Sequence, residues 1–287
     1  MTQRRCLRPE CEGKGPLIRR GHFITRYNAQ PVRRYFCKSC KKSSSSHTYL
    51  RTYRQKKPHL NHLVFGLYAS AMTQRRIARI LRINRKTVVR KFLFLARLSR
   101  EAHELWLLDF KSSRLQFDEM ESFEHTRLKP LSIGLCVDEK SAKIVEVEVA
   151  TMPYRGRSAA FAFKKYGPRP DHRPRMRHHL LSKLAKQSPG AALLTDAHPA
   201  YPAVIAEVFP SATHIRVKSK KGREFRPEGS RRNVDDALFR LSHTQAKLRH
   251  DLSRLLREVW ITTKKPSRLQ AHLDLYLAFQ NDYNLPL

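Results

Sequence analysis

Leu115-Gln116-Phe117-Asp118-Glu119-Met120 reads as a β-strand ending in acid, and Ala191-Ala192-Leu193-Leu194-Thr195-Asp196 repeats that pattern further along the chain. Working outward from the first, residues 132–137 and 144–150 read as two more strands joined across the polar turn Asp138-Glu139-Lys140-Ser141. Three meandering strands therefore come first. Helices are expected over 176–186 and 199–208, a strand over 212–218, and long helices over 237–260 and 268–279. Strands followed by alternating strand and helix argue an α/β fold, a mixed sheet with helices on its faces.

If the strands ending in Asp118 and Asp196 are neighbours, their carboxylates can converge on hard divalent cations such as Mg²⁺ or Mn²⁺. Two such ions can activate water or a DNA 3′-hydroxyl on one side and stabilise the leaving oxygen on the other. Each aspartate also has an ordinary use. Asp196 precedes His198-Pro199 and can serve as a turn or cap residue, and Asp118 can be a solvated strand end beside Glu119 and Glu121.

The beginning of the chain has a different chemistry. Cys6, Cys11, Cys37 and Cys40 form a thiol pair, a 25-residue gap and a second close pair, the spacing that folds a short segment around one tetrahedral Zn²⁺. Two disulfides are the competing use of four cysteines. No apolar leader is read ahead of Cys6, which points to a reducing cytoplasm where metal thiolates outlast disulfides. A zinc ribbon over 1–50 is expected, with basic residues such as Arg33, Arg34, Lys41 and Lys42 around its thiols. Cys136, inside an apolar run, is expected to be a buried core residue.

A basic linker with Lys56 and Lys57 follows, and the text then turns helical, with Leu60, Leu63, Val64, Leu67 and Tyr68 on one face. Thr73 can cap a short helix with the apolar stripe Ile77, Ile80 and Leu81, and Asn84 can cap a third whose first turns carry Arg85, Lys86, Thr87 and Arg90. Two short capped helices and a turn make a helix-turn-helix pattern over 51–110, and the early turns of its last helix are where base edges and phosphates are contacted. An ordinary helical bundle with solvated charges has the same text. The 58 Lys and Arg against 24 Asp and Glu, a formal charge of +34, call for an anionic partner. No apolar stretch reaches transmembrane length, so double-stranded DNA is the expected partner and a membrane is not.

The strand 117–123, the later Leu193-Leu194-Thr195-Asp196-Ala197-His198-Pro199-Ala200-Tyr201, and the tail from Lys247-Leu248-Arg249 through Thr263-Lys264-Lys265 to Leu269, His272, Leu273 and Tyr276 together resemble the IS1-type and related bacterial insertion-sequence transposases. The resemblance covers nearly the whole chain and is weakest in the basic, Pro-rich insertion 152–175. It implies a multidomain protein: a zinc ribbon, a helix-turn-helix and, over 111–287, an RNase H-like DDE catalytic domain. It places Asp118 and Asp196 at the first two acidic positions and Cys6, Cys11, Cys37 and Cys40 at the zinc positions. It also implies a homo-oligomer on DNA, in the cytoplasm with the nucleoid.

One departure concerns the third acid. In the family a glutamate lies on a helix seven residues before a basic residue, and counting back from Arg249 gives Ser242. Asp236 is the first replacement, because Mg²⁺ prefers carboxylate oxygen to imidazole, and His243 the second. Asp235 and Asp236 can equally neutralise a helix N-terminus, and the copy can be catalytically impaired. Besides a transposase, the sequence admits a non-catalytic DNA-binding regulator on the same scaffold, or an RNA-associated zinc-ribbon protein that leaves the two aspartates without a role.

Overall fold

The structure, a computed structural model, describes residues 5–8, 11, 16–25, 30–217, 237–255 and 262–286. Leu63–Leu285 form one compact unit, and Met1–His62 belong to another. In the larger unit the strands β4 (Arg114–Phe123), β5 (Pro130–Asp138), β6 (Ile144–Thr151), β7 (Ala192–Asp196) and β8 (Thr213–Val217) make a mixed sheet in the order β6-β5-β4-β7-β8. β4, β5 and β6 are the expected antiparallel meander, while β7 and β8 run parallel to β4. Every residue of β5 is buried, which is why its text is mostly apolar, with Cys136 inside it and only Ser132 and Asp138 polar.

Helices cover both faces of this sheet. On one side, Leu115 and Phe117 of β4 and Leu193 of β7 pack against α5 (Arg173–Gln187) and α6 (Tyr201–Val208). On the other, Met120, Ile133, Leu135 and Val147 meet α7 (Phe239–Asp251) and α8 (Pro266–Gln280). Alternate residues of β4 thus face different helix pairs, as the strand period of two requires. Within 152–175 a short helix forms, α4 (Ala159–Tyr166).

Ahead of the sheet lie α1 (Asn61–Ala69), α2 (Gln74–Ile80) and α3 (Arg85–Asp109). Both expected caps are in place: the Thr73 hydroxyl accepts from the Arg76 N–H at 3.3 Å, and Asn84 Oδ1 accepts from the Lys86 N–H at 2.8 Å. Val64, Tyr68, Ile77, Val88, Phe92 and Leu95 close a core among these helices, and Ala271 and Leu275 of α8 join it. Burial holds His272 of α8 well below the ordinary histidine range, hence neutral, with its ring 4.3 Å from that of Phe92.

Three expectations are corrected. Leu63 and Ile80 are about half exposed, because helices this short bury one narrow ridge each and the core takes Val64, Tyr68 and Ile77. The long helix over 237–260 ends at Asp251. Leu252 turns extended and inward, and the Tyr276 hydroxyl donates to Asp251 Oδ2 at 2.6 Å, which fixes the exit. Asp118 is not a strand end, since β5 keeps pairing with β4 as far as Phe123.

The two layers of the large unit are tied by a buried carboxylate. Glu146 of β6 accepts from both Arg100 terminal nitrogens, at 2.7 and 3.0 Å, and from Lys183 of α5 at 3.1 Å, with His103 Nε2 at 3.7 Å. Burial alone would raise its pKa, but the His103 ring and the Arg100 guanidinium hold it well below the ordinary 4.5. A carboxylate lowered in this way stabilises the fold above its ordinary pKa and loses that contribution as pH falls below it. Asp274 of α8 is raised to about 6 by burial and acts in the opposite sense, losing its contribution as pH rises through 6. Glu146→Ala leaves Arg100 and Lys183 facing a hole, so chemical denaturation at neutral pH should show a loss of about 3 to 5 kcal/mol. Glu146→Gln should lower the melting temperature at neutral pH and also flatten its fall between pH 5 and 3. A wild-type slope preserved in Glu146→Gln would assign the acid sensitivity elsewhere.

Candidate functional site

In the parallel pairing of β4 with β7 the last partners are Phe117 and Thr195, so the next residues, Asp118 and Asp196, stand side by side where β7 ends. Beyond that point β4 continues against β5 alone, so the two aspartates lie at the carboxyl end of the parallel strands, the usual place for ligands in such sheets. Asp118 is held by three donors. The Glu119 N–H reaches its Oδ1 at 2.7 Å, the Tyr201 hydroxyl the same oxygen at 3.3 Å, and Gln245 Nε2 of α7 its Oδ2 at 3.0 Å. Burial, reinforced by the Asp196 charge and opposed by these donors, raises the Asp118 pKa. Asp196 Oδ1 accepts from the His198 N–H at 3.0 Å, so the turn role is real, and it coexists with a position beside Asp118.

Tyr201 and Gln245 went unmarked in the sequence. Tyr201 lies in a quoted motif, but only the fold turns it toward Asp118. Burial and the neighbouring carboxylates keep its hydroxyl protonated, hence a donor. Gln245 comes three residues after Ser242 and four before Arg249, so all three share one side of α7. That spacing was legible, yet a search for acid passes over an amide.

Ser242 itself is exposed, with its N–H donating to the Leu238 carbonyl at 3.0 Å. His243 is exposed and stacked on Phe239, with centroids 5.8 Å apart, while Leu241, Thr244 and Leu248 form the buried side of α7. Asp235 and Asp236 lie outside the described residues. Among the described residues no further His, Cys, Asp or Glu joins Asp118 and Asp196 in a ligand cluster. Arg249 lines a cleft of about 670 Å³ with Glu121, Arg127 and Arg173, at the far end of β4.

The residues singled out for DNA contact are on the surface where charge is concerned. Arg85, Lys86 and Arg90 are exposed on the first turns of α3 and Thr87 is half-buried. Lys91, the next cation, is buried instead, which brings its pKa down to about 8. In the smaller unit Lys56 and Lys57 are exposed.

That unit is built on a three-stranded antiparallel sheet, β1 (Leu17–Ile24), β2 (Pro31–Cys37) and β3 (Ser43–Ser45). Cys37 ends β2, and Cys40 lies in the turn that the Cys37 N–H closes by donating to the Lys42 carbonyl at 3.0 Å. Cys6 and Cys11 complete a group of four sulfurs that all lie within 4.8 Å of one another. The Cys6–Cys40 and Cys11–Cys37 separations are 3.8 and 3.5 Å. These are far beyond a disulfide bond. Four thiolates at about 2.3 Å from a tetrahedral Zn²⁺ would sit about 3.8 Å apart, so the cluster could hold a metal ion such as zinc. The Cys40 and Ser39 N–H groups, with the neighbouring thiols, bring Cys37 down to about 6, whereas Cys11 beside it is raised to about 12.

No protein family and no curated protein matches this sequence. The assignment of function therefore rests on the chemistry of the residues themselves.

Among the described residues of the small unit, Val32 is the main buried apolar side chain besides the cysteines, a small core that a metal would have to supplement. Purified protein should carry about one Zn²⁺ per chain by elemental analysis, and Cys37→Ser should lose both the metal and the structure of this unit. Metal-free protein with an intact small unit would refute the site.

Proposed function

We propose that this chain is an insertion-sequence transposase of the kind its sequence resembles, binding the terminal inverted repeats of its element and carrying out metal-dependent cleavage and transfer of DNA strands. The observation that carries this reading is the pairing of β4 with β7, which sets Asp118 beside Asp196 at the carboxyl end of the parallel strands in a chain of charge +34. A meander of three strands followed by two parallel ones, flanked by helices, suits an RNase H-like catalytic domain. The cysteine cluster suits a zinc ribbon, and α2 with α3, joined by a short turn and capped by Thr73 and Asn84, suits a helix-turn-helix.

The donor set fits a hard divalent cation: two carboxylates on adjacent strands, with Asp236 as the third on this reading. Bound there, Mg²⁺ or Mn²⁺ would activate the attacking water or 3′-hydroxyl and stabilise the leaving oxygen. The chain's own contribution is orientation. Gln245, Tyr201 and the Glu119 N–H hold Asp118 in one rotamer, and its burial limits competition from water. On this reading Arg249 and Arg173, which line the cleft along β4, would hold phosphates of the bound strand. Two element ends must be brought together, which calls for a homo-oligomer on DNA.

Gln245, an amide where α7 reaches Asp118, is the observation that favours the second reading, a DNA-binding regulator without chemistry. Cleavage of DNA bearing the element's ends separates the two. Asp118→Asn and Asp196→Asn should each reduce Mg²⁺- or Mn²⁺-dependent cutting by orders of magnitude while leaving affinity for the ends equal or slightly higher. Cutting that survives both changes would reject the catalytic assignment, and a wild-type protein that binds but never cuts would establish the regulator.

DNA recognition has its own test. Arg85→Ala or Lys86→Ala should weaken binding to the element's ends more than to random duplex, by about 1 to 3 kcal/mol for a base-reading contact. Lys56→Ala with Lys57→Ala should instead weaken both duplexes alike and flatten the salt dependence. Equal losses on both duplexes for the α3 variants would confine that helix to gripping phosphate.

A further inference from the structure

Two of the eight residues of α4 are phenylalanines left in water. Phe161 is 54% exposed and Phe163 63%, while Ala162 between them is buried. Successive helical positions are about 100° apart, so with Ala162 facing the domain the two rings splay to opposite flanks of the helix. Neither contributes much burial to the fold, and both rings are more than half open to solvent, with Lys165 over one face of Phe161.

Their surroundings are cationic. Lys165 Nζ lies 5.6 Å from the Phe161 ring centroid and 5.5 Å from that of Tyr166, and Lys129 Nζ lies 5.0 Å from Tyr166. Residues 152–175 carry seven Lys and Arg against one acid, Asp171. That acid is already engaged by Arg173 at 2.5 Å and Arg155 at 3.8 Å. Arg157 and Lys164 are exposed alongside. Phe163, Tyr154 and Tyr166 line a cleft of about 550 Å³ with Pro153 and Pro168. That volume accepts a base-sized ring and is far too small for a duplex.

We propose that α4 and its cleft form a binding platform for unpaired nucleotides of single-stranded DNA. The bases stack on Phe161 and Phe163, and the phosphates lie along Arg157, Lys164 and Lys165. Three observations select this occupant. Every base has a face that can stack on an exposed ring, whereas in a duplex those faces are already covered. A surface that only gripped phosphate would need the cations but not the two phenylalanines. A second copy of this chain would bring the same positive patch against itself. The proposal goes beyond strand cleavage and requires only that the chain meets DNA, so it stands or falls apart from the transposase reading.

The test uses the full chain and two labelled probes of equal length, a thymidine oligonucleotide and a duplex of random sequence, with affinity read by fluorescence anisotropy at fixed salt. Phe161→Ala with Phe163→Ala should weaken binding to the single strand about tenfold or more and change duplex binding less than twofold. Phe161→Trp with Phe163→Trp should keep single-strand affinity, and Lys164→Ala with Lys165→Ala should weaken it with a shallower salt dependence. Because both rings are exposed, the alanine variant should melt like the wild type. Should it not, 2-aminopurine in the oligonucleotide supplies a measurement on the unaltered protein, whose binding should quench it by stacking. Equal losses on both probes, no loss on either, or binding without quenching would overturn the platform. So would sedimentation showing that the phenylalanine variant loses self-association while keeping its single-strand affinity.

Discussion

A single buried carboxylate, Glu146, fixes how the helical part of the larger unit meets its sheet. It sits on an edge strand, β6, yet it is almost fully buried because α3 and α5 converge over it with Arg100, His103 and Lys183. A buried ionic group is a weak source of net stability but a strong source of register, since a shift of either helix by one turn would leave a charge unpaired in the interior. The Arg100 fork, bidentate on Glu146 and also 2.7 Å from Glu104, specifies the position along α3 that must lie there. The same helix begins with Arg85, Lys86 and Arg90. The lock on the sheet therefore also sets where those cations stand relative to Asp118 and Asp196.

α8 completes that coupling from the other side. Its residues from Leu269 to Ala278 are almost all buried, because Leu273, Tyr276 and Leu277 face the sheet while Ala271, His272 and Leu275 face α1 and α3. A helix buried all round, Asp274 and His272 included, is one with neighbours on every side. Burial keeps His272 neutral, so it packs between aromatic rings as one more ring, 5.6 Å from Tyr68 and 4.3 Å from Phe92. In consequence α1 to α3 and the sheet share a continuous interior rather than hanging on a tether, consistent with their membership of one compact unit.

Much of this was legible in the text. The strand meander, the strand ending in Asp196, the Thr73 and Asn84 caps and the gathering of Cys6, Cys11, Cys37 and Cys40 all follow from local pattern and spacing. What escaped depends on partners distant in sequence. Glu146 looks like an outward residue in an alternating strand, Ile144-Val145-Glu146-Val147-Glu148, and nothing nearby announces that Arg100 and Lys183 will cover it. Gln245 and Tyr201 meet Asp118 only because α7 and α6 pack where they do. The true extent of β4 was hidden for a related reason. Glu119 and Glu121 suggest a strand running out into solvent, but Glu119 is paired with Arg177 and accepts from the Ser132 hydroxyl at 2.6 Å, so the strand continues.

These acids also bear on what the chain must meet. A formal charge of +34 counts every carboxylate as if it faced water, but several are committed to the fold. Glu146 is surrounded by cations, and Glu119 is held by Arg177. Asp138 closes the β5–β6 turn by accepting from the Ser112 and Ser141 hydroxyls and the Ser141 N–H. Some cations are neutralised in the same contacts, but the carboxylates are few to begin with, so each one drawn inward thins the negative charge left on the surface. Within the larger unit the exposed cations recur on the first turns of α3 and around α4. Asp118 stands apart from that economy. Among the described residues it has donors but no cation at hydrogen-bonding distance, burial works against its charge, and the Asp196 charge works in the same direction. A carboxylate kept under these conditions does little for folding, which makes Asp118 a candidate functional position rather than a structural one.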